Sequence, residues 1–345
     1  MNFISDNTAG AAPEVLAALV GASNGRAPSY GADEITARLT QKLSKLFETD
    51  VAVFPVATGT AANSLGLATV TPPHGAVICH ESAHIHYDEC GAPEFFTGGA
   101  KLVPLKGEHG KLDPGAIKVA LKRFPRGDVH SVQPSAISIA QATERGTSYS
   151  PAEITALASL AKAEGMALHM DGARFANAMA FLECAPADIT WKAGVDLMSF
   201  GLTKNGALSA EAVVFFDRAR AADFEYRRKK GGHLVSKMRF LSAQFEAMLD
   251  DGLWLRLAAQ ANAMARRLGD GVRAIPGFTL AHPVEANEVF VSLPSAAAMK
   301  ALEFAGARFY LWEPVVEHPL IRLVCSFTTQ ESDVEQFLST ARRVA

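Results

Sequence analysis

The sequence predicts an α/β fold: a large domain with a mainly parallel central sheet flanked by helices, followed by a smaller C-terminal α+β domain. Short apolar segments bounded by Gly, Pro or charged residues alternate with longer amphipathic segments, which is typical of buried parallel strands joined by helices. After Phe216 the chain becomes mainly helical before a short α+β section. Its 345 residues fit about two domains. We place the boundary near residue 250, with a large domain over 1–250, including the N-terminal segment, and a small domain over 251–345.

The large domain is predicted to begin its sheet at 51–57, directly before a turn rich in Gly, Thr and Ala. Helices are predicted over 113–124 and 151–164, because Pro151 after Ser150 suits a first helical turn. The remaining apolar segments predict strands at 76–79, 102–105, 136–140, 167–170, 197–200 and 212–216.

The small domain is predicted to follow helical sequence that continues through Ala274. A closing helix is expected from about Ser332. The strands of this domain are predicted at 288–293, 308–312 and 321–327.

Composition and charge exclude several classes of protein. Hydrophobic residues make up 49% of the chain, charged residues 20%, and the formal net charge is -3, which excludes a disordered chain. Without a long basic run, we expect neither a nucleic-acid nor a membrane partner. Four cysteines without a CxxC pair do not form a disulfide framework, and the first residues lack signal-peptide features. We therefore expect a cytoplasmic protein.

The sharpest local pattern is Thr203-Lys204-Asn205-Gly206, a lysine on a glycine-bracketed turn between two apolar segments. Partial desolvation lowers the pKa of an amine, as a Schiff-base lysine requires. An exposed turn lysine is the plainer interpretation, and only the context decides between them.

Two further segments supply that context. Asp171 follows the strand at 167–170, at the sheet edge where open α/β sheets bind ligands. There it would pair with a pyridinium nitrogen or cap a helix. Thr58-Gly59-Thr60 lies between a strand and a helix, where free N–H groups suit a phosphate, although ordinary tight turns use the same residues.

His80-Glu81-Ser82-Ala83-His84 matches the H-E-x-x-H zinc motif of metallopeptidases. That motif requires a helix, so that both imidazoles share one face. Because His80 directly follows a strand-like segment, we expect the two rings to point apart and assign no metal site.

Six segments occur in one order along the chain, and as a set they resemble the low-specificity L-threonine aldolase family. The resemblance runs from about Phe3 to the last helix and includes Ile321-Arg322-Leu323. The six segments are Ser5-Asp6-Asn7-Thr8-Ala9-Gly10, Tyr30-Gly31-Ala32-Asp33, Thr58-Gly59-Thr60, Ala83-His84, Asp171-Gly172-Ala173-Arg174 and Thr203-Lys204-Asn205-Gly206.

The resemblance implies an aldehyde-lyase dependent on pyridoxal 5′-phosphate (PLP), with the aspartate-aminotransferase fold type. Such enzymes are usually homotetramers with sites built at subunit contacts. They cleave L-threonine, L-allo-threonine and related β-hydroxy-α-amino acids, here including phenylserine, to glycine and an aldehyde.

The resemblance also assigns the cofactor site residue by residue. Lys204 matches the lysine that carries the cofactor as a Schiff base, and Asp171 matches the aspartate that keeps the pyridine nitrogen protonated. His84 matches the histidine stacked on the ring. Gly59 and Thr60 match the phosphate-binding turn, and an arginine of the Arg227-Arg228 pair is expected to reach a neighbouring subunit's phosphate.

Substrate contacts follow in the same way. Ser5, Arg174 and Arg322 match groups that hold the substrate carboxylate, for which the planar fork of arginine is suited. Arg174 also lies beside the expected cofactor, and Tyr30 is counted among the substrate contacts.

One segment departs from the family pattern. Many members have Glu-Asn-Thr-His after the corresponding strand, with the histidine near the substrate hydroxyl, whereas this chain has Gln141-Ala142-Thr143-Glu144. Glu144 is either a base or a residue of a solvated turn, so His84, Glu144 and a water all stay open as the base. The alternatives to an aldolase are another PLP lyase on the same scaffold, by β-elimination or hydroxymethyl transfer, and, remotely, a zinc peptidase through His80 and His84.

Overall fold

A seven-stranded sheet forms the centre of the computed structural model, which describes residues 1–313 and 317–345. The strands are β1 (Ala52–Val56), β2 (Gly75–His80), β3 (Lys101–Leu105), β4 (Gln133–Ala140), β5 (Ala167–Gly172), β6 (Leu197–Gly201) and β7 (Glu211–Phe215). Their order is β1-β7-β6-β5-β4-β2-β3. Neighbours from β6 to β3 are parallel, and β7 runs antiparallel to both β6 and β1. The predicted mainly parallel sheet is confirmed.

Helices flank this sheet and continue through the second half of the chain. They are α1 (Pro13–Ala22), α2 (Glu34–Leu46), α3 (Gly59–Val70), α4 (His84–Tyr87), α5 (Ala92–Thr97), α6 (Pro114–Leu121), α7 (Pro151–Ala163), α8 (Phe175–Leu182), α9 (Phe224–Lys230), α10 (Arg239–Leu249), α11 (Leu253–Arg273), α12 (Ala296–Phe304) and α13 (Glu331–Val344). None of these described helices combines the length and apolar composition that a membrane crossing requires.

Capping side chains explain where the two helices predicted from the sequence begin. Ser150 and Glu153 form a reciprocal capping box at the start of α7, with Pro151 in its first turn. Asp113 accepts a hydrogen bond from the Ala116 amide at the start of α6. Each bond satisfies a backbone N–H that has no partner within the helix.

A second, four-stranded sheet lies toward the C-terminal end. Its strands are β8 (Thr279–Leu280), β9 (Glu288–Ser292), β10 (Tyr310–Glu313) and β11 (Leu320–Val324), in the order β10-β11-β9-β8 with antiparallel neighbours. Strands β9, β10 and β11 correspond to the three predicted strands. The two-residue β8 gives no periodic signal in the sequence.

Two main hydrophobic cores lie under the two sheets, and α11 contributes to both. Trp254 and Ala258 belong to the first core, and Leu268 and Val272 belong to the second. Phe3 packs in the second core, so the N-terminal segment contacts the small sheet. The domain boundary near residue 250 stays a prediction.

The sheet topology brings several chain segments to one edge. Because β7 is antiparallel to β1 and β6, the last residues of those two strands lie beside the first residue of β7. The ends of β4 and β5 share this edge. Segments that follow buried strands therefore meet there, as expected for a ligand site in an α/β sheet.

Replacing Phe47 by Ala is expected to lower the free energy of unfolding by about 3–5 kcal/mol, the usual cost of deleting a buried phenyl ring. Phe47 is fully buried, and its ring lies 5.2–6.2 Å from those of Phe175, Phe200 and Phe216. Denaturant unfolding measures the loss. Val129→Ala, at a side chain that is 92% exposed, should change stability by less than about 0.5 kcal/mol. A similar small change for Phe47→Ala would contradict the assignment of this core.

Candidate active site

A cavity of about 360 Å³ opens at the shared edge of the large sheet. This volume is within the range of small-molecule sites. Predicted site residues in its lining are Gly59, Thr60, His84, Glu144, Asp171, Arg174 and Lys204, joined by Asn7, Thr58, Asn63, Glu89, Ser199, Thr203 and Glu211, among others. One cavity thus gathers residues that lie up to about two hundred positions apart in the sequence.

Lys204 lies on a 3₁₀ turn, Thr203–Asn205, between β6 and β7. The Asn205 side chain donates to the Trp254 carbonyl at 2.7 Å, which ties this turn to α11. Gly206 follows at φ 108°, a conformation that glycine adopts without strain. The turn therefore holds its lysine in a fixed position at the cavity wall.

Asp171 lies near the end of β5 and accepts two hydrogen bonds. The Ala173 amide donates to one carboxylate oxygen at 2.9 Å, and Asn63 Nδ2 donates to the other at 2.7 Å. Asn63 Nδ2 also donates to a Glu89 carboxylate oxygen at 2.8 Å. The Nδ2 atom of Asn63 thus holds two buried carboxylates, those of Asp171 and Glu89.

The start of α3 forms one end of the cavity. Thr58 caps this helix by accepting a hydrogen bond from the Ala61 amide at 3.2 Å. Gly59 and Thr60 are in the first turn, whose amides have no partners within the helix. The N-terminal first turn of α3 therefore offers the free N–H groups and the positive end of the helix dipole, both of which suit a phosphate.

His84 and Glu89 form a hydrogen-bonded pair at the cavity wall. His84 Nδ1 lies 2.9 Å from a Glu89 oxygen, and the Glu89 carboxylate is fully buried. The hydrogen bond to Glu89 raises the pKa of His84 against the opposing effect of burial. With Nδ1 bonded in this way, Nε2 is the ring nitrogen left for another partner.

Glu144 extends into the same cavity and accepts a hydrogen bond from the His84 backbone amide at 2.8 Å. Burial, followed by the charge of Asp171, raises the pKa of Glu144 to about 7. A carboxyl with this pKa exchanges protons at neutral pH, which is a property of general bases.

Arg174 belongs to a buried charge network. Its Nε and Nη2 donate to the two oxygens of Asp6 at 2.7 and 3.0 Å, and its Nη1 lies 3.3 Å from Glu288. A guanidinium carries five N–H groups, so these three contacts leave two. Because Arg174 also lines the cavity, those two groups are available to a carboxylate there.

Arg322 lies on the far side of Glu288, with its Nη1 3.6 Å from that carboxylate. Its guanidinium stacks over the rings of Tyr310 and Trp312. Arg322 does not line the cavity of the single chain, although Glu288 connects it to Arg174.

Four other predicted residues also lie outside the cavity lining. Ser5 caps the short 3₁₀ turn that contains Asp6, and Tyr30 is about half exposed beside Lys229. The buried Arg228 donates to Glu225 and to the Pro55 carbonyl, so its guanidinium is engaged within its own chain. Arg227 is half-buried. The roles assigned to these residues stay predictions.

Several cavity residues were not anticipated as parts of a site, chiefly Asn63, Glu89 and Glu211. The sequence offers a hint for two of them: Glu89 lies five positions after His84, and Glu211 directly precedes four apolar residues of a strand. For Asn63 we find no such signal, because its two carboxylate partners become neighbours only in the fold.

The H-E-x-x-H segment does not lie on one helix. His80 is the last residue of β2, and His84 is the first residue of α4. The His80 ring contacts Ser82 and the Gly107 carbonyl. No group of three or more His, Cys, Asp or Glu side chains arranged to hold a metal occurs in the described parts of the chain.

Comparisons with known proteins agree with this geometry. A model of the β-eliminating lyase family matches residues 2–296. Low specificity L-threonine aldolase of Pseudomonas sp. (strain NCIMB 10558) is 48% identical over 343 residues, which cover 99% of this chain and 97% of that protein. The solved threonine aldolase of Leishmania major matches with a TM-score of 0.93 and 30% identity, over 100% of this chain and 99% of that one.

A more distant solved structure is serine palmitoyltransferase from S. paucimobilis with bound PLP. It matches with a TM-score of 0.72 and 17% identity, over 100% of this chain and 87% of that one. At this identity the likeness shows the fold alone.

Replacing Asp6 by Asn is expected to lower the free energy of unfolding by about 3 kcal/mol at neutral pH, because it leaves part of a buried guanidinium uncompensated. Burial works to raise the pKa of Asp6, but Arg174, with Lys204 and Asn287, holds it below the ordinary value of 3.8. The stabilisation that ionised Asp6 contributes is therefore complete at pH values above 3.8. It is lost as the pH falls through the lower pKa that Asp6 has in the folded protein. Denaturant unfolding at several pH values should show the difference between the two proteins shrinking in acid.

Asp270 is the matched control, because it pairs with Arg273 where both side chains are more than half exposed. Asp270→Asn should cost less than about 1 kcal/mol. An equally small cost for Asp6→Asn would show that the buried network does not stabilise the fold.

Proposed function

The chain belongs to the β-eliminating lyase family, and from this we propose that it is a PLP-dependent aldehyde-lyase acting on β-hydroxy-α-amino acids. Its substrates are L-threonine, L-allo-threonine and related compounds such as phenylserine, which it cleaves to glycine and an aldehyde. The observation that carries the proposal is the single cavity that holds Lys204, Asp171, the start of α3 and Arg174.

The donor set of this cavity suits PLP. Lys204 supplies the amine that binds the cofactor aldehyde, and Asp171 supplies a carboxylate for the pyridine nitrogen. The first-turn amides of Gly59 and Thr60 suit the phosphate, and the imidazole of His84 suits the face of the ring. Two buried atoms of this region, Asn63 Oδ1 and Glu89 Oε2, have no hydrogen-bond partner among the residues that the structure describes.

The substrate carboxylate is assigned to Arg174. Asp6 and Glu288 hold its guanidinium from two sides, so the two remaining N–H groups have a fixed direction. Arg322 and Ser5 are the second contacts proposed for this carboxylate. A substrate fixed in this way presents its Cα–Cβ bond in one orientation, which reduces the entropy lost on the way to the transition state.

We assign Glu144 as the base that takes the proton of the β-hydroxyl group. The carboxyl is buried, lines the cavity and is positioned by the His84 amide. Removing the hydroxyl proton converts that C–O bond to the carbonyl of the departing aldehyde, while the Cα–Cβ bond breaks. PLP, when bound, supplies the electron sink for the pair left on Cα, and protonation of Cα completes glycine.

We also propose a cytoplasmic homotetramer in which neighbouring subunits complete each site. Among the described residues that line the cavity, the arginine is Arg174, which Asp6 and Glu288 already contact, so we assign the phosphate an arginine of a neighbouring subunit. Arg227 is the better candidate to reach a neighbour's phosphate, because Arg228 is engaged by Glu225. The exposed aromatic side chains of Tyr87, Phe95 and Tyr226 suit contacts between subunits.

The wild-type protein with PLP is expected to show a visible absorption band and to convert L-threonine to equal amounts of glycine and acetaldehyde without folate. Lys204→Ala should lose the band and at least about 10³-fold of the turnover, since it removes the covalent attachment. Absorption spectra and product analysis measure both. Lys192→Ala, at a lysine paired with Glu48 on the surface, is the control and should retain both.

Two results would contradict the proposed function. Ammonia and a keto acid in place of an aldehyde would indicate β-elimination on the same scaffold. A protein that binds no PLP, but whose peptidase activity a chelator abolishes, would restore the zinc interpretation of His80 and His84.

Replacing Glu144 by Gln should lower kcat by about 10²–10⁴-fold, the usual contribution of a general base, with PLP binding retained. Because the base must be ionised and the pKa of Glu144 is raised to about 7, wild-type kcat/KM should fall as the pH drops below 7. This acidic limb should be absent from the residual activity of Glu144→Gln. Measuring kcat/KM of both proteins as a function of pH tests this expectation.

Glu89→Gln is the matched control, because it makes the same isosteric change at another buried cavity carboxyl. It removes the carboxylate that raises the pKa of His84. If His84 is the base, Glu89→Gln will move the acidic limb to lower pH and Glu144→Gln will leave it in place. That pattern would contradict the assignment of Glu144.

A further inference from the structure

Glu211 is a buried carboxyl of the cavity that the proposed chemistry leaves without a role. It is the first residue of β7, and strand pairing places it between Val56 at the end of β1 and Gly201 at the end of β6. It is only 6% exposed, and it lines the cavity. The rest of β7 is apolar, so the strand brings one acidic side chain to the edge where the lysine turn begins.

The chain leaves a space for this carboxyl. A Cβ atom at Gly201 would lie 2.6 Å from Glu211 Oε2, closer than such atoms approach one another. The absence of a side chain at Gly201 therefore leaves the space that the carboxyl occupies, and a larger residue would displace it. The same oxygen lies 3.8 Å from the place that a Cβ atom would take at Gly59, so Glu211 lies between the lysine turn and the start of α3.

Thr203, the residue directly before Lys204, lines the same cavity as Glu211. Hydrogen bonding from the side chain and backbone of Thr203 works to lower the pKa of the Glu211 carboxyl. The Thr203 hydroxyl oxygen accepts from the Ala210 amide at 3.1 Å, which directs its proton away from that amide. Glu211 and Thr203 therefore lie together where the lysine turn leaves β6.

The charged groups that act on Glu211 are Lys204 in the adjoining turn and Asp171 on β5. On the β1 side, the His233 ring accepts a hydrogen bond from the Ala57 amide. Burial, with a smaller contribution from Asp171, raises the pKa of Glu211 to about 7, against the opposing effects of Thr203 and Lys204. The carboxyl is therefore ionised in the alkaline range, where the amine of a lysine loses its proton.

We propose that Glu211 is a positioning residue for Lys204, which fastens its turn through Thr203 and, when ionised, stabilises the protonated form of its amine. The proposal rests on the proposed function, because it assigns Glu211 to the lysine that binds PLP. A carboxylate in the same cavity favours the protonated form of an amine, and both side chains line one cavity.

The test is the pH dependence of Lys204 labelling by acetic anhydride in the full-length, cofactor-free chain, followed by peptide mass spectrometry. Glu211→Gln keeps the size of the side chain and its ability to accept from Thr203, but removes the charge. We expect it to lower the pH midpoint of Lys204 labelling by about one unit. Thr203→Val, which removes the hydroxyl group together with its bond from the Ala210 amide, should shift the midpoint in the same direction by less.

Glu211→Asp and Val214→Ala are the matched variants. Glu211→Asp keeps the charge and should restore most of the wild-type midpoint. Val214→Ala removes buried volume from the same strand, so it should lower the melting temperature without moving the midpoint. With PLP bound, the pH titration of the visible band should move in Glu211→Gln in the same direction as the labelling midpoint.

An unchanged midpoint in Glu211→Gln would overturn the proposal, as would an equal shift in Val214→Ala. It would also be overturned if Glu211→Gln altered the affinity for PLP, but not for pyridoxal, and left Lys204 labelling unchanged. The carboxyl would then act on the phosphate and not on the lysine. Failure of the wild-type chain to bind PLP would contradict the proposed function, whereas the labelling comparison would still measure the coupling between Glu211 and Lys204.

Discussion

The buried guanidinium of Arg174 is the charge on which the arrangement of the cavity depends. It follows β5 of the large sheet, and it contacts Asp6 of the N-terminal segment and Glu288 of the small sheet. Taking these charges out of water is costly, and the pairing compensates the cost only while all partners stay in place. A displacement of either sheet would therefore break a buried ion pair. This constraint fixes the small sheet, and with it Arg322, relative to the strand that carries Asp171.

The second constraint is the number of acidic groups in a small volume. Glu89, Glu144, Asp171 and Glu211 all line one cavity, and burial raises the pKa of three of them, Glu89, Glu144 and Glu211. Mutual repulsion adds to this effect, since the charge of Asp171 acts on each of the three. Such a cavity is electrostatically incomplete as a protein interior, because its carboxyls have few cationic partners. A ligand with a protonated pyridine ring would place a positive charge beside Asp171.

Much of the architecture could be predicted from the sequence, because the strands of the large sheet are buried on both faces and appear as short apolar segments. All seven were predicted to within a few residues. Lys204 and Asp171 could be predicted as well, since each directly follows such a segment. The contacts that give these residues their properties could not. Asn63 donates to Glu89 and, across 108 positions of sequence, to Asp171, and the two partners of Arg174, Asp6 and Glu288, come from opposite ends of the chain. Local sequence patterns do not reveal such long-range pairings.

The segment after β4 has a glutamate, Glu144, at the position where many family members have a histidine. A histidine there would be a base by its ordinary pKa, whereas Glu144 acquires a pKa of about 7 only through burial and the charge of Asp171. The cavity, and not the residue type alone, thus sets the proton affinity. Glu211 extends the same argument, because burial raises its pKa to about 7 as well and its partner Thr203 adjoins the lysine. Two buried glutamates with pKa values raised to about 7 therefore line one cavity, and we propose the substrate hydroxyl as the partner of Glu144 and Lys204 as the partner of Glu211.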